Sequence, residues 1–510
     1  MKAGDNYMRK LGFFAIFLGL FLFAGRASAT TYYIDYASGS DANSGTSKTA
    51  PWIHLPGMQG CSSVCSSASP NPGDSFILKG GVTWPNSSFP ISWSWSGSSG
   101  QPIYIGVDKT WFTGSSWARP IFNAGGTPIA GTYDVFIRAM STAYQTWDNI
   151  EMTGFNWNQN FGYGANSCGV WAGGSGITIS NWYVHGWSHT GGASNDGFTC
   201  ILGDTNAPYM PNSVITTSIF DGSDSTNGGD SGTFTYAWPS ETRNVIHDVS
   251  NGILPTGHGE VAYNLIYNVR KSFDATDHEN AIETLIADGA YYIHDNVIHD
   301  IYGECMMVGN TNETDYLWNN VIYEGATGNC NPIHFPQNSD PGISMFFWNN
   351  TVAPRPGEGC FYTGSGYGVE WVSVTIQNTH CITTSSTIYS SGVTPSTVAL
   401  IADHNTLESP TTAAAQGYTP AGTFAYAPAA TSGASVGAGV NLAVQAVAGL
   451  LSTFTSDTQY ACTVNSSKQV VCPARTPKAR STTWDSGAYQ FSGSTSAAPM
   501  PPTNVTAVPH

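Results

Sequence analysis

The sequence predicts an all-β chain wound as a single-stranded right-handed parallel β-helix, with an N-terminal cap and a C-terminal closing segment. Three observations predict it. An Asn-centred motif recurs at solenoid spacing, a second series of short strands precedes each Asn, and the composition suits strands and turns.

The recurring motif reads AYNLIYNV from Ala262, HDNVIHDI from His294, WNNVIYEG from Trp318 and WNNTVAPR from Trp348. RNVIHDV from Arg243 belongs to the same set, and DHNTLES from Asp403 is a degenerate late member. Asn244, Asn264, Asn296, Asn320 and Asn350 therefore recur at intervals of 20 to 32 residues. Such a unit is one coil, which buries its apolar face on its neighbours. Asn suits the corner because it tolerates the left-handed backbone, and stacked amides can hydrogen-bond from coil to coil. Leucine-rich L-x-x-L-x-L spacing is absent, and the period is too uneven for a propeller.

The upstream strands begin at Gly169, Gly197, Gly232, Gly252, Ala281, Cys305, Pro332 and Cys360. Alternation assigns their faces. Val170, Phe198, Ile253, Ile282, Met306, Ile333 and Phe361 are expected inside. Trp171, Thr199, Phe234, Leu254, Glu283, Met307, His334 and Tyr362 are expected outside as a column. Asn251, Asn280, Glu304 and Asn331 form a polar row three positions earlier. In the second strand Val261, Ile293, Leu317 and Phe347 point inward, followed after the corner by Ile266, Ile298, Ile322 and Val352.

Composition agrees. Only 10% of residues are charged, where a quarter is usual, and aromatics reach 13%. Few strong helix formers remain. The formal charge of −17 argues against nucleic acid or an anionic membrane as partner. Four of the 17 basic residues (Lys2, Arg9, Lys10, Arg26) lie in the N-terminal segment, which reads as an export signal. There a basic start precedes the apolar run Leu11 to Ala24 and the small-residue cleavage site Ala27-Ser28-Ala29. Secretion and a mature start near Thr30 are expected, with no membrane insertion afterwards and a monomeric product. Export permits disulfides among the ten cysteines. Cys61 with Cys65 and Cys462 with Cys472 are the expected local pairs; the pairing of the other six stays open.

The segment Thr31 to Trp52 (TYYIDYASGSDANSGTSKTAPW), GDSFILKGG from Gly73, and the closing Trp484-Asp485-Ser486-Gly487-Ala488-Tyr489 together resemble secreted bacterial β-helix proteins of the pectin lyase-like superfamily. The resemblance implies a β-helix over most of the mature chain. It leaves the reaction open, because the superfamily holds lyases, glycosidases, epimerases and non-catalytic members. The organisation expected is a signal over 1–29, cap and first coils over 30–135, and the helix core over 136–410. A closing coil and cap over 411–492 and a Ser/Pro-rich tail over 493–510 complete it. The stretch Gly437 to Leu451 is expected as a short helix over the last coil.

Chemistry is expected where polar residues concentrate. The loop Arg270 to Asn280 is the most polar segment and leads into the strand holding Glu283; His299, Asp300 and Glu304 follow one coil later. Lys271, Glu283, Glu304 and His334 are the candidate catalytic residues. Trp171, Arg270, His278, Asn280, His299 and Tyr362 are the candidate substrate-binding residues. Two reactions fit. In β-elimination from a uronic acid, Lys271 is the base, and Arg270 or a calcium ion held by Glu279, Glu283 and Glu304 neutralises the carboxylate. In glycoside hydrolysis, Glu283 with Glu304 or with Asp277 supplies the two carboxyl groups. Glu279 and Asp300 are the candidate metal ligands, and the Asp221, Asp224 and Asp230 loop is a second possible calcium site. The function expected is extracellular polysaccharide degradation in a groove along the helix. The alternative is a non-catalytic carbohydrate-binding or adhesion protein.

Overall fold

A computed structural model describes residues 29–127, 134–157, 166–189, 198–206, 208–225, 232–257, 259–270, 279–284, 289–308, 314–325, 331–335, 343–363, 371–389, 399–421, 423–443, 454–480 and 482–491. Within them the chain is a right-handed parallel β-helix, as a strand returning to a parallel neighbour requires. Each coil passes through a first, a second and a third sheet, of ten, thirteen and twelve strands. One coil runs Gly232–Trp238, Ser240–Thr242, Val245–Val249, and the next runs Asn251–Pro255, Glu260–Ala262, Leu265–Val269. Corresponding strands pair in parallel, so every residue type stacks on its equivalent one coil away.

The Asn column is the seam between the second and third sheets. Asn244 N–H donates to Asn264 Oδ1 at 2.9 Å, Asn264 to Asn296 at 3.0 Å, Asn296 to Asn320 at 3.1 Å, and Asn320 to Asn350 at 3.0 Å. Asn405 extends the ladder by accepting from Thr379 N–H at 2.8 Å. These amides are buried, so each unmade bond would cost about 1–3 kcal/mol. The left-handed residue is not the ladder Asn but the one before it. Arg243, Tyr263, Asp295, Asn319 and Asn349 hold φ of 58°, 60°, 55°, 54° and 56°. The Asn is selected for its amide and its predecessor turns the corner.

The second and third sheets follow the expected faces. Val261, Ile293, Leu317 and Phe347, and Ile266, Ile298, Ile322 and Val352, all enter one core. The first sheet does not alternate simply. Its strands bend, so two consecutive positions face inward: Cys168, Cys200, Phe234, Ala281 and Cys305 in one column, and Ile201, Ile253, Ile282, Met306 and Ile333 in the next. Expectation and structure agree from Ile253 onward; before it the outward places fall to Val170, Leu202 and Tyr236 rather than to Trp171, Thr199 and Phe234, slips of one, three and two positions.

The opening segment adds Thr31–Ile34 to the edge of the second sheet beside Ser75–Leu78, and Trp52, Leu55, Met58 and Cys65 close the core behind it. The disulfides Cys61–Cys65 and Cys462–Cys472 form as expected, together with Cys168–Cys200 and Cys360–Cys381. After the short helix Pro410–Ala415, the chain folds back along the flank of the solenoid as a strap. Trp484, Leu442 and Phe454 cover Trp318 and Trp348 on the second sheet. A hairpin, Thr463–Val464 with Val470–Val471, covers Val245 and Ala262. Residues 438–442 are not helical, and Gly439 bridges Trp484; residues 444–451 lie outside the described residues. Buried Arg480 ties the strap down through the carbonyls of Asp485, Gly487 and Ala488 and through Asn319 Oδ1 at 3.0 Å. No helix among the described residues is long and apolar enough to cross a membrane.

Candidate functional site

Among the described residues the strap packs on the second and third sheets, and its described contacts do not reach the outer face of the first. Register defines its outward column: Arg138, Val170, Leu202, Tyr236, Leu254, Glu283, Met307, His334, Tyr362. Glu283 belongs to this outward column yet is only 1% exposed, as is Leu254 before it.

One coil on, Glu304 meets the next histidine. Its Oε1 lies 3.1 Å from His334 Nδ1, and the imidazole stands 5.1 Å from the Tyr362 ring at 54°. Beside them runs the polar row: Asn280 N–H donates to Asn251 Oδ1 at 3.1 Å, and Glu304 N–H donates to Asn280 Oδ1 at 3.0 Å. The Asn280 amide also reaches Met307 Sδ at 3.4 Å. Asn280 is thus a buried ladder residue that sets the pitch of the site and presents nothing to a ligand.

Other expected site residues lie elsewhere. Trp171 is 0% exposed and packs inside the solenoid against Trp147, Trp182 and Trp238. A one-position slip reverses a side chain, so Val170 takes the outward place instead. Arg270 turns to the third sheet, 3.6 Å from Asp248 Oδ1. His299 is also on the third sheet, stacked between Tyr267 at 5.2 Å and Tyr323 at 4.8 Å. Burial is the largest influence on it and lowers its pKa, outweighing Asp300, whose Oδ2 lies 2.7 Å from Nδ1. Lys271, His278 and Asp277 lie outside the described residues.

The expected metal ligands belong to different elements. Asp300 is engaged by His299 on the third sheet, whereas Glu279 leads into the first, its carbonyl accepting from Gly303 N–H. Asp221 and Asp224 lie near each other on the third-sheet side but have different partners. Asp224 holds His185, and Asp221 receives Lys468 Nζ of the strap at 3.0 Å. Burial opposes ionisation of Asp221, but Ser223, His247 and Lys468 outweigh it and bring its pKa to about 2. Asp221, His247 and Asp248 form one compact donor group, but Lys468 and Arg270 already bring cations to its carboxylates. That donor set does not fit a divalent ion.

Two features were not read from sequence. Tyr236 is in the outward column, hidden by the double-inward bend, and Glu304 pairs with His334 across coils. The signal for the first was the run of consecutive apolar residues in GFTCI and GTFTY, which departs from alternation.

No family model matches the chain. A stretch of 141 residues is 31% identical to a lacto-N-biosidase of Bifidobacterium longum subsp. longum, covering 25% of this chain and 8% of that protein. The chain thus aligns with less than a tenth of the relative's length. Among solved structures, a lacto-N-biosidase of Eubacterium ramulus is similar at 14% identity and TM-score 0.41, over 79% of this chain and 72% of that one. A rhamnogalacturonan lyase is similar at 15% identity and TM-score 0.42, over 74% and 87%. A pectate lyase is similar at 14% identity and TM-score 0.41, over 91% and 97%.

Proposed function

We propose that this protein is a secreted glycan-degrading enzyme that hydrolyses a glycosidic bond over the outer face of the first sheet. The observation that carries the reading is Glu283, a carboxyl group in an outward column yet withdrawn from water, one coil from the Glu304–His334 pair. Coils stack about 4.8 Å apart, so carboxyl groups on neighbouring coils can address one bond. One protonates the leaving oxygen; the other attacks the anomeric carbon or activates water, their separation deciding between retention and inversion. His334 orients Glu304. Leu254 and Met307 flank Glu283 and lower the local dielectric, which strengthens its interaction with developing charge.

Hydrolysis is favoured over elimination on two grounds. From Tyr236 to Tyr362 the described column holds no Lys or Arg to neutralise a uronate, and the sequence likeness is to a lacto-N-biosidase. The N-terminal signal pattern and the four disulfides among the described residues support export.

The test is incubation of the purified protein with neutral and acidic glycans, with calcium or with a chelator. New reducing ends without ultraviolet absorbance are expected. Glu283→Gln and Glu304→Gln should each lower kcat/KM by about 10²–10⁴-fold with an unchanged circular dichroism spectrum. Absorbance from an unsaturated sugar would replace hydrolysis by elimination, and an inert wild type would remove the enzymatic reading.

A further inference from the structure

The two ends of the solenoid are finished differently. At the N-terminal end the cap takes up the outer edge of Thr31–Ile34. Tyr33 N–H donates to Gly45 O at 2.7 Å, Trp52 N–H to Tyr33 O at 2.9 Å and Asp35 N–H to Trp52 O at 2.8 Å. Trp52, Leu55 and Met58 then lie over the core. The last coil passes through Ile388 and Tyr389, then Ala399–Asp403, then Thr406–Glu408, and among the described residues no strand pairs with its outer edge. Core-facing positions are open there. Leu400, Ala402 and Leu407 continue the inward columns of Val374, Ile376 and Cys381. Those three are fully buried, whereas Leu407 is 38% exposed, Ala402 is exposed and Leu400 is only half-buried. Between them Ile401 points outward and is 51% exposed, the most of any large apolar side chain among the described residues.

The strap does not close this end. Its first helix, Pro410–Ala415, buries Ala413 against Ala353 and Ile382 on the outer face of the third sheet. Nor is the edge blunted. Exposed edge strands are ordinarily protected by Lys, Pro or a bulge. Ala399-Leu400-Ile401-Ala402-Asp403 has none, and its one charged residue, at the last position, accepts from Gln377 Nε2 at 2.6 Å. With no coil beyond, Asn405 N–H also lacks the amide acceptor that the following Asn gives to Asn244, Asn264, Asn296 and Asn320. An apolar strand with unused backbone groups is a template for another strand.

A second copy of the chain fits this end. The cap blocks end-on stacking of open end on opposite end, so between copies the open end meets its own equivalent. A two-fold axis through the middle of Ala399–Asp403 joins the two second sheets by antiparallel pairing. Centred on Ile401, the register sets Ile401 against Ile401, Leu400 against Ala402 on the core side, and Asp403 against position 399. No two like charges then face each other. The same axis exchanges first and third sheets, which brings Leu407 of one copy over Ile388 and Tyr389 of the other. We infer that the protein pairs tail to tail through its last coil, as a two-fold dimer whose solenoids form one rod, in place of the monomer expected from the sequence. The two candidate sites then lie on different sides of that rod. The inference stands apart from the proposed reaction, since neither Glu283 nor Glu304 takes part.

The experiment is sedimentation equilibrium of the purified protein from about 1 to 200 µM. A monomer–dimer equilibrium is expected, with Kd on the order of 10 µM, as suits an end smaller than the roughly 800 Å² per partner of stable pairs. Each copy carries a formal charge of −17, so added salt should tighten the dimer. Ile401→Lys and Ile401→Asp should each raise Kd at least about 100-fold, and an equimolar mixture of the two should restore a dimer. Val64→Lys, at an exposed position of the capped end, should leave Kd unchanged. Ile401 points away from the core, so its variants keep the fold, which near-ultraviolet circular dichroism checks. A monomeric wild type would overturn the pairing and leave the end to an extended segment of another protein. A dimer indifferent to both Ile401 substitutions, or one lost in Val64→Lys, would overturn it by moving the interface elsewhere. Assembly beyond two copies would overturn the closed pairing, and a mixture that stays monomeric would overturn the two-fold register.

Discussion

The outer faces of the first and third sheets are built from the same coils and differ in what they repeat. On the third sheet the outward column reads Asp221, His247, Tyr267, His299, Tyr323. Its rings stack nearly parallel from His247 to Tyr323, and its acids are matched by His247, His299 and Lys468. The strap reaches this face through Lys468 and through Tyr426, whose ring lies 5.4 Å from Tyr323. The first-sheet column changes residue type at almost every coil, and the described strap residues do not cover it. Repetition signals mutual support between coils; variation along a column that the described strap does not reach signals that the contacts are meant for something else.

The largest effect that would break this contrast is on the strapped side. Arg480 is fully buried, and burial brings its pKa down to about 10. Removing it strands Asn319 Oδ1 and three carbonyls, so Arg480→Ala should cost about 3–5 kcal/mol in urea denaturation. Glycan turnover by the fraction still folded should persist, because the described strap residues pack on the second and third sheets. Equal loss of specific activity would collapse the distinction between the faces. Asn320→Ala comes next. Its Oδ1 accepts from Asn296 N–H at 3.1 Å, and its amide donates to Ile293 O at 2.9 Å. The thermal midpoint should fall by an amount equivalent to about 1–3 kcal/mol for each buried group left unpaired. A neutral result would mean that water replaces the amide.

This division also explains what was legible in the sequence. The amide ladder demands the same side chain in each coil, so Asn244 to Asn350 stood out without any alignment. The inward columns of the second and third sheets were legible because those strands alternate. The first sheet was half legible. From Glu283 to Tyr362 the column was read correctly, but Trp171 and Phe234 were placed outside because a strand with two consecutive inward residues looks like a shifted one. His299 and Asp300, expected as a substrate-binding residue and a metal ligand, repeat the His247–Asp248 pair, and that repetition is a structural signal the expectation passed over. The strap was beyond reach, since its contacts with Trp318 and Val245 span more than 100 residues of sequence.

A smaller effect tests the interior that both faces share. Glu241 aligns with Ile215 and Val261 inside the solenoid, and among the described residues only Thr235 Oγ1, at 2.9 Å, donates to its carboxyl group. Burial raises its pKa well above 4.5. A carboxyl group whose folded pKa is raised destabilises the fold increasingly as pH climbs above the unfolded value. Glu241→Gln should therefore raise the midpoint at pH 7 by the equivalent of about 1–3 kcal/mol and lose that advantage near pH 4. Thermal melts of both proteins across this range decide it; a destabilised variant at pH 7 would mean that the carboxyl has an ionic partner.

The smallest effect belongs to His185, one coil before Asp221 on the third sheet. Its Nδ1 lies 2.7 Å from Asp224 Oδ2 and its Nε2 3.3 Å from Glu151 Oε1, with the Tyr183 ring stacked at 4.2 Å. Burial works to lower its pKa, but the two carboxylates outweigh it and raise it to about 9. With the folded value raised, the ionic contribution is complete below the unfolded value near 6.5 and disappears as pH rises through about 9. Asp224 is half exposed, so Asp224→Asn should leave the melting midpoint almost unchanged. It should nonetheless move the His185 titration, followed by nuclear magnetic resonance, toward the ordinary histidine range. An unshifted titration would mean that Glu151 alone holds the proton, and the pairing on this face would then run along the strands' own column rather than out to the neighbouring loop.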